Sequence, residues 1–302
     1  SDLLQIQGNA WRGRLKKSFQ ICFRSEYGAS KLNAEVFEPY PGVAAVKEFN
    51  NLILRAGGND SWSWSFSALY FRDEFCRRSH LAMGDPSPHG RYVHVYLDGL
   101  YWGVYNLVER IDGAFAESYF GGDKDNMDAS GNRPRDGDWV NWSKLLELCW
   151  SQWPAAADNT LYQKVQGRNP DRTRNPAFPV YLDMENYIDY LLVEQWGANT
   201  DWEWNWTTVR SRDDATSGGF RFPAWDMECT MGPPLGGWDV SSAQTAAGEP
   251  YGILRQNAEF RLLFADRICR HLLNGGALST NQTLPRFDAI TAALDTPMLA
   301  EA

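Results

Sequence analysis

Between Thr200 and Glu228 the sequence TDWEWNWTTVRSRDDATSGGFRFPAWDME sets a carboxylate near each end, Asp201 and Asp226, with Asn205 four positions after the first. WNWTTVR (204–210) is rich in β-branched and aromatic residues, SRDDATSGG is turn chemistry, and FRFPAW runs back, so the stretch reads as one β-hairpin. A hairpin's outer ends are neighbours, because paired strands lie about 4.8 Å apart. Asp201, Asn205, Asp226 and Glu228 are therefore expected to crowd one rim. Carboxylates so placed repel unless one takes a proton or a cation lies between them. A hard divalent ion with oxygen ligands resolves the conflict, and Mg²⁺ suits an Asp and an Asn that share it with substrate phosphates. The competing reading is that Asp at hairpin ends merely caps turns and bonds nearby amides.

The elements that would carry this rim follow from periodicity. LLQIQ and KKSFQICFR read as strands joined by a turn, and VKEFNNLILR is a strand-like run into the turn AGGND. In SFSALYFRDEFCRRSHLAMG, Phe66, Leu69, Tyr70 and Phe75 fall near helical spacing and Gly84 follows as a stop. RYVHVYL and LYWGVYNLVE flank Asp98-Gly99, a strong two-residue hairpin signal. YLDMENYIDYLLVEQWGA carries Tyr187, Ile188, Leu191, Leu192 and Trp196 on one stripe, an amphipathic helix that delivers the chain to Asp201. Asn257 caps a further helix with Leu262, Phe264, Ile268 and Leu272 as apolar positions. Residues 121–140 and 166–178 read as polar loops. Strands with one helix come first and helices dominate later, which predicts an α+β fold.

Bulk properties narrow the class. The 302 residues suffice for one large domain, and 43% hydrophobic with 22% charged residues is a globular balance. A net charge of −9 argues against a dedicated nucleic-acid binder, which would show a basic face. No run of about 18 apolar residues is present, so no membrane span is expected. SDLLQIQGNAW lacks a basic start followed by an apolar core, so it does not read as a signal peptide, and the chain is expected to be a piece of a longer protein. Cys22, Cys76, Cys149, Cys229 and Cys269 form no metal-ligand cluster. Free, buried thiols are the reading, with one or two disulfides left open. His80, His89, His94 and His271 are dispersed and read as structural. The 14 tryptophans admit two accounts: core filling, or, for Trp142, Trp150 and Trp153, a flat face that stacks sugars or a partner.

Helix, Asp201, Asn205, hairpin and Asp226 follow the order of a protein kinase. There a catalytic-loop Asp accepts the proton of an attacking hydroxyl, and an Asn and a later Asp hold Mg²⁺. The match is not literal: His-Arg-Asp and Asp-Phe-Gly are absent, and the Asp–Asn spacing is shorter by one. Taken together, GNAWRGRLKKSFQICF, EYGASKLNAEVF, LRAGGNDSW, YFRDEF, VYLDGLYWGVYNLVERID, ANTDWEWNW, FRFPAWDMECTM and NAEFRLLFADRICRHL resemble the spore coat protein H (CotH) kinase family. The segments stand in the family's order, and the resemblance runs from residue 6 to about 302.

The resemblance implies one two-lobed protein-kinase-like domain over 1–302, with a β-rich N-lobe to about residue 110 and a mainly helical C-lobe. It implies ATP- and Mg²⁺-dependent phosphate transfer (Mn²⁺ in its place) to Ser or Thr of a protein substrate, at an extracellular or cell-surface location. Asp201 matches the catalytic Asp, Asp226 the metal-binding Asp and Asn205 the second metal ligand. Lys16 matches the lysine that contacts ATP phosphates, and Gly8 and Asn9 the loop whose backbone approaches the nucleotide. Where the family commonly reads Arg-Gly-Asn-Ser-Ser, this chain has Gln7-Gly8-Asn9-Ala10-Trp11, so hydroxyls and a charge are missing, and Arg12 or Arg14 is the candidate to compensate. Glu109 would offer backbone atoms to the base and Asp112 would reach the ribose, against the plain reading of an exposed strand end. Either Asp73 or Glu74 is the helix acid that would pair with the lysine, or both form a solvated helix face. Two alternatives stand beside phosphotransfer: a catalytically silent binding or adhesion module, and a kinase-fold enzyme that transfers AMP.

Overall fold

The computed structural model describes residues 3–6, 13–63, 67–153, 157–232, 238–242 and 246–301. The fold is α+β. Ten strands are described: β1 Leu3–Ile6, β2 Phe19–Cys22, β3 Leu32–Asn33, β4 Glu48–Phe49, β5 Asn51–Arg55, β6 Gly90–Leu97, β7 Leu100–Glu109, β8 Met127–Gly131, β9 Pro134–Asp136 and β10 Thr207–Ser211. An antiparallel five-stranded sheet has the order β1-β2-β5-β7-β6. The β6–β7 hairpin turns on Asp98 and Gly99 at φ 50° and 80°, the left-handed pair that matches the twist of the flanking strands. Between β5 and β6 the chain forms α1, Arg72–Met83. This sheet and α1 lie within the first 110 residues, where the sequence pattern put the strands.

α1 begins later than the spacing of Leu69 and Tyr70 suggested, and Phe66 lies outside the described residues. Tyr70 takes φ 66°, a conformation bulky residues rarely adopt, so the chain turns sharply just before the helix. Asp60 serves as a remote cap. Its carboxylate accepts from the amides of Leu69 at 2.7 Å and Arg72 at 3.1 Å and pairs with the Arg72 guanidinium.

Beyond residue 110 come α2 Gly113–Phe120, α3 Val140–Ser151, α4 Asn159–Lys164, α5 Met184–Gly197, α6 Glu249–Leu254, α7 Ala258–Leu272 and α8 Thr280–Glu301. Asp112 caps α2 by accepting from Phe115 N at 3.1 Å, and Asn257 caps α7 through Glu259 N and Phe260 N. The polar stretch 121–140 is not a loop. It holds β8 and β9, which join β10 in a three-stranded sheet of order β10-β8-β9. Its polar side chains are satisfied internally: buried Asp128 accepts from Asn141 Nδ2 at 3.0 Å and Asp138 N at 3.2 Å.

α5 is more than amphipathic. Of its predicted stripe Tyr187, Ile188, Leu191 and Leu192 are buried and Trp196 is half-buried, but Met184, Asn186, Asp189, Tyr190, Val193 and Glu194 are buried too. It runs through the main core, packed by Phe75 and Cys76 of α1, Leu145 and Trp142 of α3, and Ile290 and Leu294 of α8. Trp142 fills this core, whereas Trp150 and Trp153 stack on each other at the surface. A second core of Ile53, Val108, Phe115, Met127, Val209 and Trp225 ties the large sheet to the small one. All five cysteines are free, four of them buried. Among the described residues no helix is long and apolar enough to cross a membrane.

Leu191 is fully buried on α5, whereas Leu262 on α7, a predicted core position, is 64% exposed. Leu191→Ala is expected to cost about 2–5 kcal/mol in urea unfolding, through lost transfer energy and the cavity left behind. Leu262→Ala is expected to stay within about 0.5 kcal/mol of the parent. Equal costs at the two positions would overturn this placement of the core.

Candidate functional site

Arg55, the last residue of β5, is the hub of the most charged buried region. Its Nε stands 3.3 Å from Asp73 Oδ2, and its Nη2 lies 2.5 Å from Asp226 Oδ1 and 2.7 Å from Glu228 Oε1. The guanidinium packs 4.6 Å from the centre of the Trp225 ring. The acids are themselves anchored. Asp73 accepts from Met227 N at 3.0 Å and Arg77 Nε at 3.0 Å, and Glu228 accepts from Asn59 N at 2.6 Å. One cation thus draws together the large sheet, α1, the loop after β5 and the segment 226–228.

The electrostatics follow from three carboxylates sharing one guanidinium. Burial works against the Arg55 charge, but Asp73, Asp226 and Glu228 outweigh it and push its pKa up. Burial likewise opposes ionised Asp73, yet Arg55 and Arg77 hold its carboxyl below the usual range. Glu228 is the acid of the three whose pKa is pushed up. Burial pushes it up to about 7, Arg55 pulls it back, and Asp226 and Asp73 add to the rise.

Asp201 reaches the same region from the other side. α5 ends in left-handed Ala198 (φ 48°), after which Asn199 bridges back. Asn199 Nδ2 donates to buried Glu194 at 2.8 Å, and its Oδ1 accepts from Asp201 N at 3.1 Å. The amides of Trp204 and Asn205 donate to Asp201 O at 3.0 Å, closing one turn. That turn brings Asn205 Nδ2 to 2.5 Å from Asp201 Oδ2. Burial raises the Asp201 pKa first, the nearby Asp226 charge adds to it, and Asn205 opposes.

The two acids are neighbours, and the returning chain of the expected hairpin is present but sparsely paired. β10 starts at Thr207 and pairs along its length with β8, and the chain that returns meets it at the antiparallel Val209–Arg221 bridge. Beyond the acids the same antiparallel return is held by Thr200 N donating to Cys229 O at 3.1 Å and Met231 N to Gly197 O at 3.0 Å. Asp226 itself sits at φ 59°, a left-handed turn that Asp tolerates better than most residues.

The other predicted site residues fare differently. Gly8, Asn9 and Arg12 lie outside the described residues. Lys16 makes its ion pair with Glu301 and not with the acids around Arg55. Its ammonium is buried, donates to Val104 O at 2.6 Å and pairs with Glu301, between the rings of Tyr70 and Tyr105. Burial lowers its pKa and Glu301 opposes the shift. Glu109 is no exposed strand end: it is buried and accepts from His89 N at 2.7 Å and Tyr119 OH at 2.9 Å. Asp112 is engaged by Phe115 N and Asn51 Nδ2, the latter at 3.1 Å. Of the two helix acids, Asp73 faces Arg55, while Glu74 binds Arg77 and Arg78, each at 2.6 Å. Neither is a solvated surface charge. Sequence reasoning missed Arg55, although its signal is present as a lone cation closing the apolar strand NLIL.

The donor set fits a hard divalent ion of the kind that keeps phosphate and water ligands. Among the described residues no cluster of three or more His, Cys, Asp or Glu could hold a metal by itself. Asn205 spends its N–H on Asp201, which leaves its carbonyl oxygen as a neutral donor, and Asp226 is a carboxylate with 30% of its side chain exposed. One carboxylate and one amide oxygen are what Mg²⁺ takes when a nucleotide supplies the rest.

A family model described as CotH kinase protein matches residues 4–274, which ends after α7 and leaves α8 beyond it, short of the extent the sequence segments suggested. No curated protein matches the chain.

The Glu228 proton has a measurable consequence. Its folded pKa of about 7 stands above the ordinary 4.5, so the proton's contribution to stability is complete below pH 4.5 and lost as pH rises through 7. Urea unfolding of the parent and of Glu228→Gln between those limits is expected to show the parent losing roughly 2–3 kcal/mol relative to the variant. A pH-independent difference would remove the proton from Glu228.

Proposed function

Since the chain belongs to the CotH kinase family, we propose that it is an ATP- and Mg²⁺-dependent phosphotransferase of two-lobed, protein-kinase-like build that acts on Ser or Thr of a protein substrate. The observation that carries this reading is the Arg55 bridge. Protein kinases pair a cation on the third sheet strand with an acid of the following helix, close to the metal-binding Asp. Here the third strand of the sheet order, β5, ends in Arg55. The following helix, α1, gives Asp73, and the third partner is Asp226. Arg55 is in this reading a further cation of the site, beside Lys16, whose ammonium pairs with Glu301.

Each residue has a defined task. Asp201 accepts the proton of the attacking hydroxyl as its oxygen bonds to the γ-phosphorus and ADP departs. A carboxyl held above the usual range is a better base than a fully solvated one. The Asn205 amide fixes which way the Asp201 carboxylate points. Asp226 and Asn205 would hold Mg²⁺, which when bound neutralises charge on the nucleotide phosphates. Arg55 adds fixed positive charge that Asp73 keeps in place, so positioning and charge neutralisation carry most of the rate.

Thermal shift with Mg-ATP and transfer of labelled phosphate test the roles separately. Asp226→Ala is expected to abolish the Mg²⁺-dependent shift. Asp201→Asn is expected to keep the shift while transfer falls by about 10²–10⁴-fold. Arg55→Ala is expected to weaken both. Full activity in the two aspartate variants would sink the assignment, and a parent chain that shows no shift would favour a silent binding module.

A further inference from the structure

α8 lies outside the residues matched by the family model, yet it is joined to the candidate site by side chains of unusual burial. Its inward stripe is Phe287, Ile290, Leu294, Met298 and Glu301, spaced by three or four residues so that all share one face. Ile290 and Leu294 are buried in the main core. Phe287 meets Phe71 and Phe75 edge-on, with ring centres at 5.3 Å and 6.4 Å, and Arg286 Nη1 donates to Ser79 Oγ at 2.8 Å. α8 therefore grips α1 from the residue before its first turn to its second half.

The stripe ends in a charge rather than a hydrophobe. The Glu301 side chain is only 2% exposed and accepts from four donors. They are Lys16 Nζ, Val104 N at 2.6 Å, Trp62 Nε1 at 3.1 Å and Tyr70 OH at 3.3 Å. Two of these, Trp62 and Tyr70, belong to the segment that leads into α1, and Trp62 N also donates to Tyr70 OH at 3.0 Å. Tyr70 is the left-handed residue at which the chain turns into the helix, and Asp73 follows three positions later. A buried carboxylate with this many donors ties them to one point: losing it would leave the buried Lys16 ammonium with Val104 O alone and the Val104 amide without this acceptor.

We propose that α8 is an intramolecular strap that positions the phosphotransfer site, with Glu301 as its positioning residue. By fixing Tyr70 and the sheet together it sets the start of α1, and through Asp73 it sets where Arg55 stands beside Asp226. Lys16 takes part in this lock through Glu301. The effect on ATP rests on the phosphotransferase reading above; the effect on α1 does not.

The test uses the full chain with Glu301→Gln, which keeps shape and removes charge, and Phe287→Leu, which loosens the grip elsewhere on α8. Hydrogen exchange of the α1 amides is compared with that of α5 as internal control. Both variants are expected to speed α1 exchange at least tenfold and leave α5 unchanged. Mg-ATP titration is run for Glu301→Gln in the parent and in an Asp73→Asn background. Affinity is expected to fall about tenfold in the parent and to change little when Asp73 is already replaced, a dependence that general destabilisation would not produce. Unchanged α1 exchange in both variants, or equal affinity losses in both backgrounds, would overturn the strap. A parent chain that binds no Mg-ATP would instead overturn the phosphotransferase reading, and the exchange data would still decide the strap.

Discussion

One guanidinium answering three carboxylates is the constraint on which the region around the site depends. Arg cannot shed its proton in a protein, so the positive charge of Arg55 is fixed and the acids must adjust to it. Asp73, with a second cation in Arg77, stays ionised, and Glu228, with burial against it, has its pKa pushed up. Asp226, which has 30% of its side chain exposed, is the member open to an incoming ligand. Buried ion pairs add little net stability, but removing one partner leaves a charge stranded, and this keeps β5, α1 and segment 226–228 in register.

The same logic explains why α5 is so heavily buried. α5, which leads into Asp201, is held by charge as well as by packing. Buried Asp189 is paired with Arg267 and lies 3.1 Å from His271 Nε2, both from α7. At the far end Glu194 and Asn199 pass the constraint to the Asp201 amide. Burial pushes Glu194 up to about 8, so it holds its proton near neutrality and does not add a further negative charge behind Asp201 and Asp226.

Much of this is legible in the sequence. The closeness of Asp201 and Asp226 follows from the chain returning on itself, by the Val209–Arg221 bridge on one side of the acids and by 229–231 lying along 197–200 on the other. Strong local signals held: Asp98-Gly99 is the turn it looked like, and Asn257 caps its helix. Signals that depend on distant partners did not. β8 and β9 were taken for loop because their polar residues are satisfied by groups that periodicity does not weigh. The start of α1 is set by Asp60, 12 residues upstream of Arg72. Arg55 was passed over because its partners Asp226 and Glu228 lie 171 and 173 positions away, and a single charge at a strand end carries no mark of such company. Lys16 was favoured through a family pattern, whereas its burial beside Glu301 is a property of the folded chain alone.

The choice of arginine at the hub has its own physical sense. A lysine ammonium is a point charge with three donors on a flexible stem, well suited to one or two acids. A guanidinium is planar and rigid, with five donors spread over two edges. Arg55 uses Nε toward Asp73 and Nη2 toward both Asp226 and Glu228, while its face rests on Trp225. The stacking fixes the plane, and the plane fixes where each acid must lie. A divalent ion that took Asp226 would therefore draw one of two acids from Nη2, which would keep Glu228 while Nε kept Asp73. The scaffold would keep its alignment while one carboxylate changed partner, and a point charge held by the same three acids would have no such division of labour.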